Sequence, residues 1–377
     1  MKEICKKEKC MGCLACVNAC PKQCISIGED KDGFIQPLVD DSVCIGCNKC
    51  VKVCPANGQL QLKDPVKVLA GQICDEKLAL KSTSGGLFQA LAKKVLRAGG
   101  IVCAARQFDD CDLHHVIVKN ERELESCLKS KYYQSNVGHT YSEIKTYLRK
   151  GTKVLFCGTP CQVAGLMSFL GKAYDNLITC DLICHGVPSK KVVRRYISDK
   201  EKQYGAKMTE ILFRDKSLGW DKMRMTVSFE NGKKYSRIAS NDTFYFGFFR
   251  GLYYRKSCYE CPFAQEKRIA DLSLGDFWGV EYTESNMKPE KGISLVLVNT
   301  PKGMDFIGTV NEIVMEEHTM AAAIRLNHNL KNPSHMHPKQ DYFYSLLDYH
   351  SLEYALFRVL PVKYLKFLVK NVLEDKI

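Results

Sequence analysis

The chain lacks any run of 18 or more apolar residues, so no segment is long enough to cross a bilayer as a helix. It also lacks a basic tract interleaved with aromatics and any nucleic-acid-binding motif, which leaves nucleic acid unsupported as a partner. Only Met1-Lys2-Glu3-Ile4-Cys5 precedes the first cysteine-rich run, leaving no room for a secretory signal peptide. A cytoplasmic location is therefore expected. In that setting 20 cysteines read as thiolate ligands in a reducing compartment, not as a disulfide framework. The length of 377 residues allows two or three domains. The formal charge of +13 fits an ordinary basic surface, or a docking face for an acidic partner such as a small ferredoxin or for an anionic substrate. Bound clusters and their thiolates would offset part of that charge.

Two cysteine runs dominate what is present. They are Cys10-x-x-Cys13-x-x-Cys16-x-x-x-Cys20-Pro21 and Cys44-x-x-Cys47-x-x-Cys50-x-x-x-Cys54-Pro55. In the bacterial ferredoxin pattern three closely spaced thiolates hold one [4Fe–4S] cluster and the fourth cysteine of each run ligates the other cluster. Cys10, Cys13, Cys16 and Cys54 are thus expected at one cluster, and Cys44, Cys47, Cys50 and Cys20 at the second. A zinc site uses four ligands, usually in two pairs, and does not explain two matching runs of four. The runs repeat with a period of 34 residues, from Cys10 to Cys44. A domain this small needs its clusters to supply part of its folding energy. Cys5 and Cys24 fall outside the pattern and read as packing thiols. Ile25-Ser26-Ile27 and Leu60-Gln61-Leu62 read as short strands, and Asp32-Gly33 and Pro37 as turns.

Beyond a linker at 63–75, Ser82-Thr83-Ser84-Gly85-Gly86 opens a helical run that starts at Leu87 and ends at Gly99-Gly100. Free N–H groups at such a helix start can cradle an anion, although a plain serine cap with a glycine turn explains the same residues. Ile101–Arg106 and His114–Val118 read as strands and Glu121–Lys129 as a helix. Lys131-Tyr132-Tyr133-Gln134-Ser135-Asn136 reads as a polar, aromatic loop that could touch a cofactor. His114 and His115 have no ligand spacing and read as structural. Two strand–turn–helix units follow, one through Cys157-Gly158-Thr159-Pro160-Cys161-Gln162 and one through Cys180-Asp181-Leu182-Ile183-Cys184-His185-Gly186-Val187-Pro188. They put Cys161 and Cys184 at strand ends, where open α/β sheets build their sites. Residues 209–239 read as antiparallel strands with a hairpin at Asn231-Gly232. The aromatic stretch 244–254 reads as a core helix or as the lining of a flat ligand, and residues 349–373 read as one C-terminal helix, suited to packing or to a membrane surface. Cys258-Tyr259-Glu260-Cys261 is open among a redox disulfide, half a zinc site and half a cluster, for which Cys161 and Cys184 could supply the other half.

Ser84-Gly85-Gly86, the Lys131-Tyr132 loop, Gly158-Thr159-Pro160-Cys161-Gln162, Cys184-His185-Gly186-Val187-Pro188 and Cys258-x-x-Cys261 stand in order, followed by Ala270-Asp271 and Gly275-Asp276-Phe277-Trp278-Gly279. This ordered set resembles the coenzyme F420 hydrogenase/dehydrogenase beta-subunit family over roughly residues 75–350. The resemblance implies an FAD-dependent iron–sulfur protein. By it, Cys161, Cys184, Cys258 and Cys261 match a third cluster's ligands, and Ser84, Gly85, Gly86, Lys131 and Tyr132 match flavin contacts. Cys157 and Cys180 receive no role. The implied fold class is α+β, with a bacterial-type 2[4Fe–4S] ferredoxin module at 1–62 followed by a mixed α/β flavin- and cluster-binding catalytic region. Within that region 76–170 corresponds to the beta-subunit N-terminal region, 171–350 to its C-terminal region, and 351–377 to a terminal helix.

The expected activity is an oxidoreductase with three [4Fe–4S] clusters and FAD. It would exchange electrons with a ferredoxin-type one-electron partner and reduce or oxidise a deazaflavin-like or other organic substrate. A flavin stores two electrons and can pass them as hydride, which joins one-electron wiring to two-electron chemistry. His185, beside Cys184, is the candidate proton donor, with a structural histidine as the plainer reading. A non-catalytic relay subunit of a larger complex is the alternative, and a cluster-bearing sensor has no DNA-reading motif to support it.

Overall fold

The computed structural model describes residues 3–59, 61–108 and 111–374. Its N-terminal lobe carries a two-stranded antiparallel ribbon, β1 (Ile25–Glu29) and β2 (Ile35–Val39), joined by the turn at Asp32-Gly33. Pro37 sits in β2 opposite Ile27, not in a turn. A ribbon of two strands consists only of edges, so its missing N–H interrupts no central ladder. Of the expected strand at Leu60-Gln61-Leu62, Leu60 lies outside the described residues and Gln61 and Leu62 are not in a strand. The partner of β1 comes from between the cysteine runs instead.

The 34-residue repeat is visible in the backbone. Gly12 and Gly46 have φ of 63° and 69°, and Leu14 and Asn48 have φ of 59° and 60°. Each pair is one repeat apart, and each left-handed residue starts a short helix, Ala15–Ala19 or Lys49–Lys52. Positive φ at a leucine is sparsely populated and persists only where the surroundings impose it. Two tight cysteine loops with the same strained backbone are what the duplicated runs require.

The rest of the chain is organised on an eight-stranded mixed sheet. In chain order its strands are β3 (Lys67–Ile73), β4 (Ile101–Gln107), β5 (Leu113–Val118), β6 (Val154–Gly158) and β7 (Leu177–Leu182). A separate meander of β8 (Met208–Asp215), β9 (Arg224–Phe229) and β10 (Lys234–Ile238) follows. The chain then returns to the large sheet with β11 (Leu272–Asp276), β12 (Ser294–Val298) and β13 (Ile313–His318). The spatial order is β13-β3-β12-β11-β7-β6-β4-β5. The four inner strands β11, β7, β6 and β4 run parallel, and the flanking pairs are antiparallel. Strands such as Leu-Ile-Thr-Cys-Asp-Leu and Ser-Leu-Val-Leu-Val are buried along nearly their whole length, as expected when helices cover both faces.

Three sequence expectations change here. Residues 63–75, read as a linker, contribute β3, which pairs with β12 and β13. The helix expected over Glu121–Lys129 is shorter, Glu121–Leu124 followed by one tighter turn to Cys127. The single helix expected over 349–373 is two, Leu352–Val359 and Pro361–Glu374. Pro361 forces the break, because its ring cannot donate to the preceding turn. The aromatic stretch forms the helix Thr243–Phe248, whose rings pack with the meander and the C-terminal helices.

The ends of β7 and β11 are pinned by a buried ion pair. Arg268 donates to Asp181 Oδ1 at 2.8 Å, to Ser273 Oγ at 3.0 Å and to the carbonyls of Phe263 and Leu182 at 2.9 and 3.1 Å. Removing one partner of such a pair strands the other charge away from water. Arg268→Ala should lower the unfolding free energy by about 3–5 kcal/mol in denaturant titration, and a loss below about 1 kcal/mol would show that the pair does not carry this corner.

Candidate metal centres and the adjoining cavity

The two ferredoxin-type runs build two separate thiol nests. One small cavity is lined by Cys10, Cys13, Cys16 and Cys54 together with Cys5. The other is lined by Cys20, Cys44, Cys47 and Cys50 together with Cys24. The expected exchange of fourth cysteines between runs is thus the arrangement of the fold. Cys5 and Cys24 stand at these nests as fifth thiols, and Cys24 Sγ lies 3.4 Å from Cys20 Sγ.

The nests differ in surroundings. A Cβ on Gly12 would lie 2.6 Å from Gln134 Nε2 and 2.8 Å from Arg255 Nη2, whereas one on Gly46 would meet nothing within 4 Å. The first run faces the sheet and the second faces outward, with Cys47, Val43 and Ile45 exposed. Arg255 makes the first contact. Its guanidinium donates to Cys10 O at 3.2 Å, Ile35 O at 2.7 Å and Gln134 Oε1 at 2.6 Å, and Ser257 Oγ donates to Cys10 O at 3.1 Å.

Cys161, Cys184, Cys258 and Cys261 come together from three segments beyond β6, β7 and β10. Cys161 stands just beyond the end of β6. It lies in the first turn of the helix Pro160–Leu170, which starts at Pro160 and carries a Thr159/Gln162 capping box. Its Sγ stands 3.1 Å from Thr159 Oγ1. Cys184 follows the end of β7 and accepts the Gly186 N–H at 3.4 Å. Gly186 has φ of 115°, and a Cβ there would lie 2.9 Å from the Tyr254 ring and 3.3 Å from Cys258 Cβ. Burial pushes the Cys161 thiol up to about 11 and Cys184 to about 12, and each of Cys161, Cys184 and Cys258 is raised further by another thiol of the set. Arg255 and Arg268 offset only part of this rise, so four grouped thiols of this kind suit a bound metal group that would stabilise their thiolates. Around a single zinc, four sulfurs would stand about 3.8 Å apart. Among the described residues no three Cys, His, Asp or Glu side chains are placed to share one ion.

The three nests form a sequence in space. A Cβ on Gly165, in the Pro160–Leu170 helix, would lie 3.0 Å from Cys13 Sγ, and Cys13 and Cys161 sense each other electrostatically. On its far side Cys184 lines a cavity of about 460 Å³. That volume is in the range of cofactor sites, about 300–1,000 Å³.

Ser84, Gly86, Lys131, Tyr132 and His185 all line this cavity. Gly85 is not among its lining residues. A Cβ there would lie 2.2 Å from Gly71 O, so this glycine permits close backbone packing on β3. Ser84 Oγ is spent on Ile293 O at 3.0 Å. Lys131 Nζ donates to the carbonyls of Ala105, Cys127 and Leu128 at 3.1, 2.8 and 2.6 Å, and burial lowers it to about 8. Burial, then the neighbouring His328, lowers His185 to about 4. The helix Leu87–Arg97 starts at the cavity wall with Gly86 as N-cap and no side-chain cap. Its first-turn N–H groups remain suited to an anion.

Sequence reasoning missed a second group on this wall. Arg214 of β8 pairs with Asp276 of β11, whose other oxygen accepts Trp220 Nε1 at 2.9 Å. Trp220 stacks on Trp278 at 4.5 Å. Arg214 Nε and Nη2 are buried without a partner, an edge that suits an oxygen-bearing ligand. The Gly275-Asp276-Phe277-Trp278 motif carried the signal for Asp276 and Trp278. Nothing in the local pattern of β8 singled out Arg214.

Residues 9–57 match the 4Fe-4S dicluster domain, and residues 151–322 match the C terminus of the coenzyme F420 hydrogenase/dehydrogenase beta subunit. Residues 151–322 thus carry the C-terminal region of this beta-subunit family beside a ferredoxin-type domain. The chain is an iron–sulfur electron-transfer protein related to the F420 hydrogenase beta subunit, with the ferredoxin-type domain at its N-terminus. Among solved structures it is similar to a chain of the xenon-derivatised F420-reducing [NiFe] hydrogenase complex from Methanosarcina barkeri, at 18% identity over 76% of this chain and 89% of that one. The TM-score of 0.43 is too low for that likeness to carry an argument. No curated protein matches the chain. Among the described residues no helix is long and apolar enough to cross a membrane.

The cavity floor makes a pH-dependent contribution to stability. His115 is buried between Ser135 Oγ at 2.9 Å and Cys157 O at 3.0 Å, and burial lowers it to about 4. A histidine lowered in the fold contributes fully above its ordinary value near 6.5, and that contribution is lost as pH falls toward 4. Acidification from neutrality to about pH 5 should cost about 2 kcal/mol through this residue. Thermal midpoints of His115→Asn should fall less over that range than those of the native chain, and parallel curves would refute the assignment.

Proposed function

We propose that this protein is a three-cluster flavoprotein oxidoreductase, in which electrons pass singly between a protein partner and FAD in the 460 Å³ cavity. The observation that carries the reading is the convergence of Cys161, Cys184, Cys258 and Cys261 between the first ferredoxin-type nest and that cavity. In this reading the four cysteines hold the third [4Fe–4S] cluster. Bound FAD supplies two-electron storage and hydride transfer, matching single-electron wiring to an organic or deazaflavin-like substrate.

The residues divide the remaining work. The outward-facing nest is the contact for a one-electron partner, because Cys47 is exposed there with Lys22, Lys49 and Lys52 around it. Those lysines suit an acidic ferredoxin-like surface. The Leu87 helix start holds a diphosphate, while the unpartnered edge of Arg214 orients a carbonyl or anionic oxygen. Neutral His185 acts as a hydrogen-bonding wall residue beside Cys184. The 76–170 and 171–350 regions then act as the two parts of one beta subunit, whose strands interleave in one sheet. A reducing cytoplasm is the setting, in keeping with 20 cysteines of which eight fall in the two ferredoxin-type runs.

Anaerobic reconstitution should give about twelve irons, as much sulfide and one flavin per chain. Cys161→Ser should lose about four irons and leave the ferredoxin pair spectrally intact. About eight irons without flavin would refute the reading. Flavin uptake without turnover of any two-electron acceptor, with reduced viologen supplied, would favour the relay alternative.

A further inference from the structure

The helix Pro361–Glu374 is apolar on two opposite faces. One face is structural. Tyr364 and Phe367 are buried against Phe246, with ring centroids 5.1 and 4.8 Å away, and Asn371 Nδ2 donates to Asn241 O at 3.0 Å. The other face is exposed. Val362, Leu365, Val369, Val372 and Leu373 recur at helical spacing and retain 65, 51, 60, 57 and 60% of their accessible surface. They lie about a half-turn from the buried set, so the stripe points directly away from the body of the protein. At 14 residues the helix is about 21 Å long.

Charge settles what this stripe suits. Lys363, Lys366 and Lys370 follow one another at i, i+3 and i+7, placing them along one edge of the stripe. Residues 361–373 contain no acidic side chain. An apolar face bordered by lysines, on a chain of formal charge +13, has the composition of a helix that lies in the headgroup layer of an anionic bilayer. An acidic protein groove would satisfy the lysines, but five apolar side chains presented along a whole helix ask for an extended apolar surface as well.

We infer that the Pro361–Glu374 helix docks this protein peripherally on an anionic lipid surface, with Leu365, Val369 and Val372 inserted and the three lysines at the phosphate level. The body then rests above the membrane on Tyr364 and Phe367. The inference does not depend on flavin or on the third cluster.

The test is co-sedimentation of the reconstituted full-length protein with vesicles of phosphatidylglycerol and phosphatidylcholine, against phosphatidylcholine alone, with light scattering on the same sample. The expected result is a monomer that binds the anionic vesicles at least about tenfold more tightly than the neutral ones, with the difference removed by high salt. The pair Leu365→Ser and Val369→Ser should weaken binding by at least about tenfold, with thermal midpoint and cluster absorbance unchanged because both side chains are exposed. Absence of binding, equal binding to both vesicle types, or a dimer dissociated by those two substitutions would overturn it.

Discussion

One guanidinium decides how the two halves of the chain meet. Arg255 is almost fully buried and satisfies carbonyls from the first cysteine run and from β2 while it engages Gln134 of the main body. Without it, Ile35 O would lose its guanidinium donor and Cys10 O would keep only Ser257 Oγ, a cost comparable to a lost hydrogen bond at the first. The consequence is directional. The run that contains Gly12 is held against the sheet, and the run that contains Gly46 is left open to solvent. Two nearly identical loops thereby acquire opposite surroundings.

The same clamp sets the spacing of the thiol nests. Cys13 is pressed on the Pro160–Leu170 helix at Gly165, one turn from Cys161, and Cys184 faces the cavity on the other side. Tyr254 and Cys258 close over Gly186, where any side chain would collide. Electron transfer falls steeply with distance, so this chain of contacts matters more than the strength of any one of them. The parallel strands β6 and β7 end at this point, and the Arg268–Asp181 pair keeps β11 in register beside them.

Local chemistry was legible in the sequence, and long-range pairing was not. The cysteine spacing anticipated which cysteines gather in each nest, including the exchange of the fourth cysteines, because tight loops of this kind are encoded within a few residues. The set of Cys161, Cys184, Cys258 and Cys261 stayed one of several open readings until the family resemblance was added, since the segments are up to 100 residues apart. Lys67–Ile73 read as linker because its partners β12 and β13 lie more than 200 residues away. Arg214 and its unpartnered edge were invisible for the same reason: its partner Asp276 belongs to another sheet. Gly85 was assigned to a ligand although its backbone approach to Gly71 explains it. A glycine marks a close approach without naming what approaches.

Electron paramagnetic resonance of the fully reduced protein bears most directly on the arrangement of the three nests. Three centres in contact give about three spins per chain, with lines split by magnetic coupling, and Cys184→Ser removes both one spin and the splitting it causes. About two spins, with a spectrum that Cys184→Ser leaves unchanged, would contradict a third centre between the ferredoxin lobe and the cavity.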